Sequence, residues 1–147
     1  YMAMVAPHLL PVSHPLYTVN DVFNAIYVRG NMLGPAMFYG SGAGKLPTAS
    51  AVVADMVDMA KHVDKNILLQ WRPEKLELRD AGQGESIFFV RTNDAKEKVQ
   101  EIFGDVKFVE IPEIGGEFGF ITPVIKEEEF YKKIENVTTL SIIRVAE

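Results

Sequence analysis

The sequence predicts an α+β chain in two parts: a hairpin joined through a glycine-rich loop to one long helix, then a βαββαβ unit. Three observations predict this. Gly40, Gly42 and Gly44 fall within five positions and run straight into a stretch with helical spacing of apolar residues. Turn chemistry at Ala81-Gly82-Gln83-Gly84 separates the two parts. From Glu85 onward, alternating and amphipathic runs succeed each other as strand, helix, strand, strand, helix, strand.

The 147 residues are 48% hydrophobic and 24% charged, enough apolar material for one or two small cores. A net charge of −5 without any basic run excludes a non-specific nucleic-acid binder. The absence of cysteine excludes a disulfide framework and thiolate chemistry, and points to a reducing, cytoplasmic compartment. His8, His14 and His62 lack metal-ligand spacing, so no metal site is expected. No apolar run approaches the ~20 residues of a membrane span, and no secretory signal opens the chain. Tyr1 begins inside an apolar stretch, which reads as the interior of a longer protein.

Taken in order, residues 1–10 are apolar and bounded by Pro7 and Pro11, the pattern of an extended segment or edge strand. Ser13-His14-Pro15 predicts a turn or short helix start, with His14 bonding a local backbone group in preference to facing a substrate. FNAIYVR (23–29) has strand composition, and Gly30-Asn31 marks a hairpin turn. The return strand is expected to break at Gly34-Pro35 and resume at Ala36.

A helix is expected over 48–64, with Thr48 as its N-cap. Its apolar stripe comprises Val52, Val53, Met56, Met59, Ala60 and Val63, with Asp58 and Lys61 paired on the other side. Such an apolar helix face, if left exposed, invites self-association. Residues 67–84 read as a connector, with Trp71 as an anchor.

In the second unit SIFFVRT (86–92) is a strand and DAKEKVQEIF (94–103) a helix with Val99, Ile102 and Phe103 inward, closed by Gly104. VKFVEI (106–111) is a strand, Gly115-Gly116 a turn and FGFITPVI (118–125) the next strand. KEEEFYKKIE (126–135) is a helix and TTLSIIRV (138–145) the last strand. This is the ferredoxin-like order, two helices on one face of an antiparallel sheet.

The glycine loop is not the phosphate loop of nucleotide hydrolases, because Tyr39 and Leu46 stand where that motif needs glycine and Ser/Thr. Nor is it the dinucleotide fingerprint, because Lys45 holds the third glycine's place. The complete string YGSGAGKLPTASAVVAD (39–55) instead resembles a run near the end of the catalytic region of homoserine dehydrogenases. His14-Pro15-Leu16 and Asn24-Ala25-Ile26 match that family too.

The resemblance implies a chain that is the C-terminal part of such an enzyme, inactive by itself: 1–66 the end of the catalytic region, 67–84 a linker, 85–147 an ACT-like regulatory domain. It implies part of a substrate-domain sheet with a returning helix, and hydride transfer between NAD or NADP and L-homoserine or L-aspartate 4-semialdehyde. That reaction belongs to threonine, methionine and isoleucine biosynthesis. The catalytic lysine and acidic residues of the family lie before this segment, so no catalytic residue is assigned. Lys45 is read as a solvated loop lysine.

Gly44 matches the glycine against the nicotinamide end of the cofactor, with Gly42, Ala43 and Thr48 as its neighbours. ACT domains commonly pair, which implies a homo-oligomer such as a dimer, and they bind a small amino acid near the first strand–helix loop. Here that loop holds Asn93 and Asp94, with threonine as the pathway's natural effector. Both residues also suit a helix N-cap. The competing reading is a free-standing amino-acid-binding or dimerisation module, which has no use for the hairpin, glycine loop and small-residue helix.

Overall fold

The computed structural model describes residues 1–66, 70 and 72–146. In chain order its elements are β1 (His8–Leu9), β2 (Phe23–Gly30), β3 (Gly34–Ser41), α1 (Lys45–Lys61), β4 (Glu85–Thr92), α2 (Lys96–Phe103), β5 (Lys107–Val109), β6 (Phe118–Ile121), β7 (Ile125–Lys126), α3 (Glu127–Ile134) and β8 (Thr139–Val145). They form two compact units, Val12–Glu74 and Tyr1–Pro11 with Lys75–Glu147. Trp71 lies outside the described residues.

The unit Val12–Glu74 is built on the β2–β3 hairpin, an antiparallel pair running from Phe23↔Ser41 to Gly30↔Gly34. A 3-10 turn, Pro15–Thr18, precedes it. Nδ1 of His14 accepts the Leu16 N–H at 3.1 Å, and the imidazole edge meets the Tyr27 ring at 5.4 Å, so His14 has the local backbone role expected of it. The hairpin turn falls at Asn31, Met32 and Leu33, and Gly34 takes the positive φ, +74°, that closes such a three-residue loop. β3 does not break at Pro35, contrary to expectation. In a two-stranded sheet each strand is an edge, so a residue without an N–H can sit in register, here opposite Arg29.

The helix α1 begins three residues before the predicted start. Gly44, not Thr48, is its N-cap, and the first intrahelical bond runs from the Thr48 N–H to the Gly44 carbonyl at 3.1 Å. Pro47 explains the difference: first-turn N–H groups have no intrahelical acceptor, so a proline there loses nothing and its φ is already helical. Asp58 pairs with His62 (3.5 Å), where Lys61 was expected. The apolar stripe exists, yet α1 buries no residue; Val52, Val53, Met56 and Met59 are each more than half exposed.

The other unit is the ferredoxin-like one. Its sheet runs β1-β8-β4-β6-β5, with β4 antiparallel to β8 and β6, and β5 antiparallel to β6. Alternation along β4 sends Phe88, Val90 and Thr92 to one face, where they are fully buried with Phe120 of β6. Val99 and Phe103 of α2 and Phe130 and Ile134 of α3 close the same core. The Phe88 and Phe130 rings stack at 3.6 Å. Ile87, Phe89, Ile121 and Ile143 occupy the opposite face, half-buried.

β1 adds an edge strand, parallel to β8 through His8↔Arg144 and Leu9↔Val145, and the Ala146 N–H continues the ladder to the Leu9 carbonyl at 2.9 Å. This edge position fits the proline-bounded reading of residues 1–10. It also groups Tyr1–Pro11 with the C-terminal unit, a division different from the 1–66 segment read from the sequence.

Gly104 closes α2 at φ +77°, and a Cβ there would meet no atom within 4 Å. Gly104→Ala therefore isolates a backbone effect. It is expected to lower unfolding free energy by about 1–2 kcal/mol in urea titration, with an unchanged m-value.

Candidate functional site

The β2–β3 hairpin delivers the chain from Ser41 through Gly42, Ala43 and Gly44 into α1. Gly44 sits at φ +117°, ψ 156°, a conformation that L side chains rarely adopt. Space is not its constraint, since a Cβ would find only Pro47 Cδ and Cγ, at an ordinary 3.5 and 3.9 Å. The helix start beyond it is bare. The N–H groups of Lys45 and Leu46 fall in the first turn, where no intrahelical carbonyl reaches them, and Pro47 has none. No side chain caps the helix and no acidic residue stands in its first turn. Free donors, the positive end of the helix dipole and the Lys45 ammonium together favour a ligand with acceptor or anionic groups.

Gly42, Ala43 and Gly44 are thus contiguous on this loop, and Thr48 lies one turn into the helix, all exposed. Asn24 was not singled out from the sequence as a site residue. It stands opposite Gly40 in the hairpin register, and its carboxamide lies against Gly42. Reading the strand register across the loop was the signal that could have found it.

Asn93 and Asp94 lie in the other unit, beside an open cleft of about 490 Å³ that Glu110, Ile114 and Phe118 also line. Neither caps α2: the N-cap is Ala95, without a side-chain bond. The Asp94 carboxylate is drawn away by a tertiary contact. It accepts the Thr138 N–H at 2.8 Å and the Lys98 ammonium at 2.8 Å. The Lys98 hydrogen bond, then that of Thr138, holds its pKa below the ordinary aspartate value. The Thr92 hydroxyl accepts the Asp94 N–H and donates to the Thr138 carbonyl, tying the loop to the start of β8.

Glu127, 2% exposed, is the buried ionic centre of this unit. Both its oxygens accept from the Arg144 guanidinium (2.7 and 2.6 Å), and Oε1 also accepts from the Ser86 hydroxyl at 2.7 Å. Arg144, 5.4 Å from the Phe88 ring centroid, holds the Glu127 pKa below its ordinary value. This pair ties α3 to β8. Among the described residues, no three His, Asp or Glu side chains come together as metal ligands, and no helix is long and apolar enough to cross a membrane.

Three comparisons bear on the loop. The homoserine dehydrogenase family profile matches residues 1–57. Homoserine dehydrogenase of Corynebacterium glutamicum is 58% identical over 60 residues, which are 41% of this chain and 14% of that protein. That of Bacillus subtilis is 52% identical over 59 residues, 40% of this chain and again 14% of the relative. Among solved structures, homoserine dehydrogenase of S. aureus superposes with TM-score 0.62 at 25% identity, covering 95% of this chain and 36% of that one. The Thiobacillus denitrificans homoserine dehydrogenase gives TM-score 0.71 at 22% identity over 97% of this chain and 38% of the other, a likeness of fold. The matched stretch thus spans a small part of the curated relatives, and the chain little more than a third of the solved ones.

Proposed function

We propose that this chain, whose residues 1–57 match the homoserine dehydrogenase family profile, is the C-terminal part of an enzyme that interconverts L-homoserine and L-aspartate 4-semialdehyde with NAD or NADP. The observation that carries the proposal is the bare helix start behind Gly44, reached through the family's glycine string. A nicotinamide group fits it on the chemistry present: no side chain at Gly44, first-turn N–H groups at Lys45 and Leu46 without an intrahelical acceptor, and no carboxylate in the first turn.

In this reading Gly42, Ala43 and Gly44 would face the nicotinamide end of the cofactor, with Thr48 beside them. The bound nicotinamide supplies or accepts the hydride. The chain's own contribution is to keep side chains out of that place and to set a positive field at the helix start. Proton transfer and substrate binding fall to residues outside this chain. The reaction would serve threonine, methionine and isoleucine biosynthesis in the cytoplasm.

The ferredoxin-like unit would act as an ACT-type regulatory or assembly domain, supporting a homo-oligomer and taking a small amino acid such as threonine near Asn93 and Asp94. Because Asp94 already serves Lys98 and Thr138, Asn93 is the freer of the two to meet an effector. Threonine at ~100 times its dissociation constant would add about 2.7 kcal/mol to the unit's stability.

The test is equilibrium titration of the full-length protein with NADH and NADPH. Saturable binding of at least one is expected, and absence of binding by both overturns the proposal.

A further inference from the structure

A Cβ placed on Gly42 would lie 2.6 Å from Nδ2 of Asn24, 3.4 Å from its Cγ and 3.8 Å from its Cβ. The Asn24 side chain therefore fills the side of Gly42 where any other residue carries its first carbon. The hairpin puts it there: Asn24 faces Gly40 and Phe23 faces Ser41, so the loop turns back across Asn24 as it leaves β3. The three loop glycines differ in this respect. Gly40 has open space, Gly44 has its positive φ, and Gly42 alone has a neighbour's polar side chain in place of a Cβ.

Between the last residue of β3 and the first of α1 stand three residues, Gly42, Ala43 and Gly44. Two are glycines, so this stretch has much backbone freedom to lose when a ligand is bound. Asn24 belongs to an eight-residue strand paired along its length, and is anchored where the loop is not. A carboxamide also carries both donor and acceptor groups for backbone partners.

We infer that Asn24 is a positioning residue for the cofactor loop: its carboxamide braces Gly42 and so sets the path by which Ala43 and Gly44 reach the helix start. This rests on the reading of the loop as the nicotinamide site. It gives Gly42 a reason distinct from that of Gly44. Gly42 is bare for Asn24, whereas Gly44 is bare for its backbone and the ligand.

The test is a cycle of Asn24→Ala, Gly42→Ala and the double variant in the full-length protein, titrated with whichever of NADH and NADPH binds. Each single change is expected to weaken binding about tenfold, one by removing the brace and the other by displacing it. The double variant is expected to bind no more weakly than either single variant, because the new methyl at position 42 refills the space vacated at position 24. The KM for the dinucleotide should follow, with a smaller change in kcat, since Asn24 touches no reacting atom.

Wild-type binding by Gly42→Ala, or losses that multiply in the double variant, would overturn the inference. If the wild-type protein binds neither dinucleotide, the proposed function falls, and the brace is read separately from amide hydrogen exchange. Faster exchange at Gly42, Ala43 and Gly44 in Asn24→Ala, with the middle of α1 unchanged, supports the brace; unchanged exchange refutes it.

Discussion

Gly44→Val in the full-length protein is expected to lower nicotinamide-dependent turnover by at least about 100-fold. Two effects combine. At φ +117° a β-branched residue is strained, so the loop must move to relieve it. Wherever the loop then settles, an isopropyl group would occupy the place proposed for the flat ring. A displacement of about 1 Å at a reacting centre is enough for a loss of this size. The effect should be local. Gly44 belongs to the unit Val12–Glu74, and the ferredoxin-like core of Phe88, Phe120 and Phe130 does not include it. Unfolding of that core in urea should therefore be unchanged, while cofactor titration shows the loss. A variant with wild-type affinity and turnover would remove Gly44 from the site.

Glu127→Ala is expected to be the most damaging single change to the ferredoxin-like unit, at about 3 kcal/mol of stability. The carboxylate is 2% exposed and accepts from Arg144 and Ser86, so its removal strands a largely buried guanidinium and an unpaired hydroxyl. Replacing both Glu127 and Arg144 by methionine should cost far less, because no charge is then left buried alone.

The pair also fixes a pH dependence. The folded-state pKa of Glu127 lies below its unfolded value, chiefly through Arg144. Its stabilisation is fully present above the unfolded carboxylate pKa of about 4.3 and is lost as pH falls through the folded value. Glu127→Gln should start less stable at pH 7 and lose less on acidification below about pH 5, as followed by urea midpoints. An acid limb parallel to wild type would contradict this.

What the sequence made legible was local. The βαββαβ order follows from periodicity in short runs; Val99 and Phe103 are buried as their spacing predicts, and Ile102, also expected inward, packs against the core partly buried. The glycine string pointed to a family because its resemblance extends over many consecutive residues, and the family profile matches residues 1–57. What escaped was set by partners distant in sequence. β1 is two residues long and has no period of its own; only β8 makes it a strand. Asp94 looks like a cap until Thr138 and Lys98 take its carboxylate. Pro35 looks like a break until the hairpin is seen to lack a third strand. Asn24 gains its place only from the register opposite Gly40.

The exposed stripe of α1 was legible too, since Val52, Val53, Met56 and Met59 keep helical spacing while the helix buries nothing. A surface of this kind invites association.

The central claim is that the loop behind Gly44 serves hydride transfer on homoserine. The most direct measurement is oxidation of L-homoserine by the full-length protein with NAD or NADP, followed by formation of the reduced cofactor. Turnover that requires L-homoserine, and that Gly44→Val abolishes, is the predicted result. No turnover with substrate and both cofactors supplied would contradict the account.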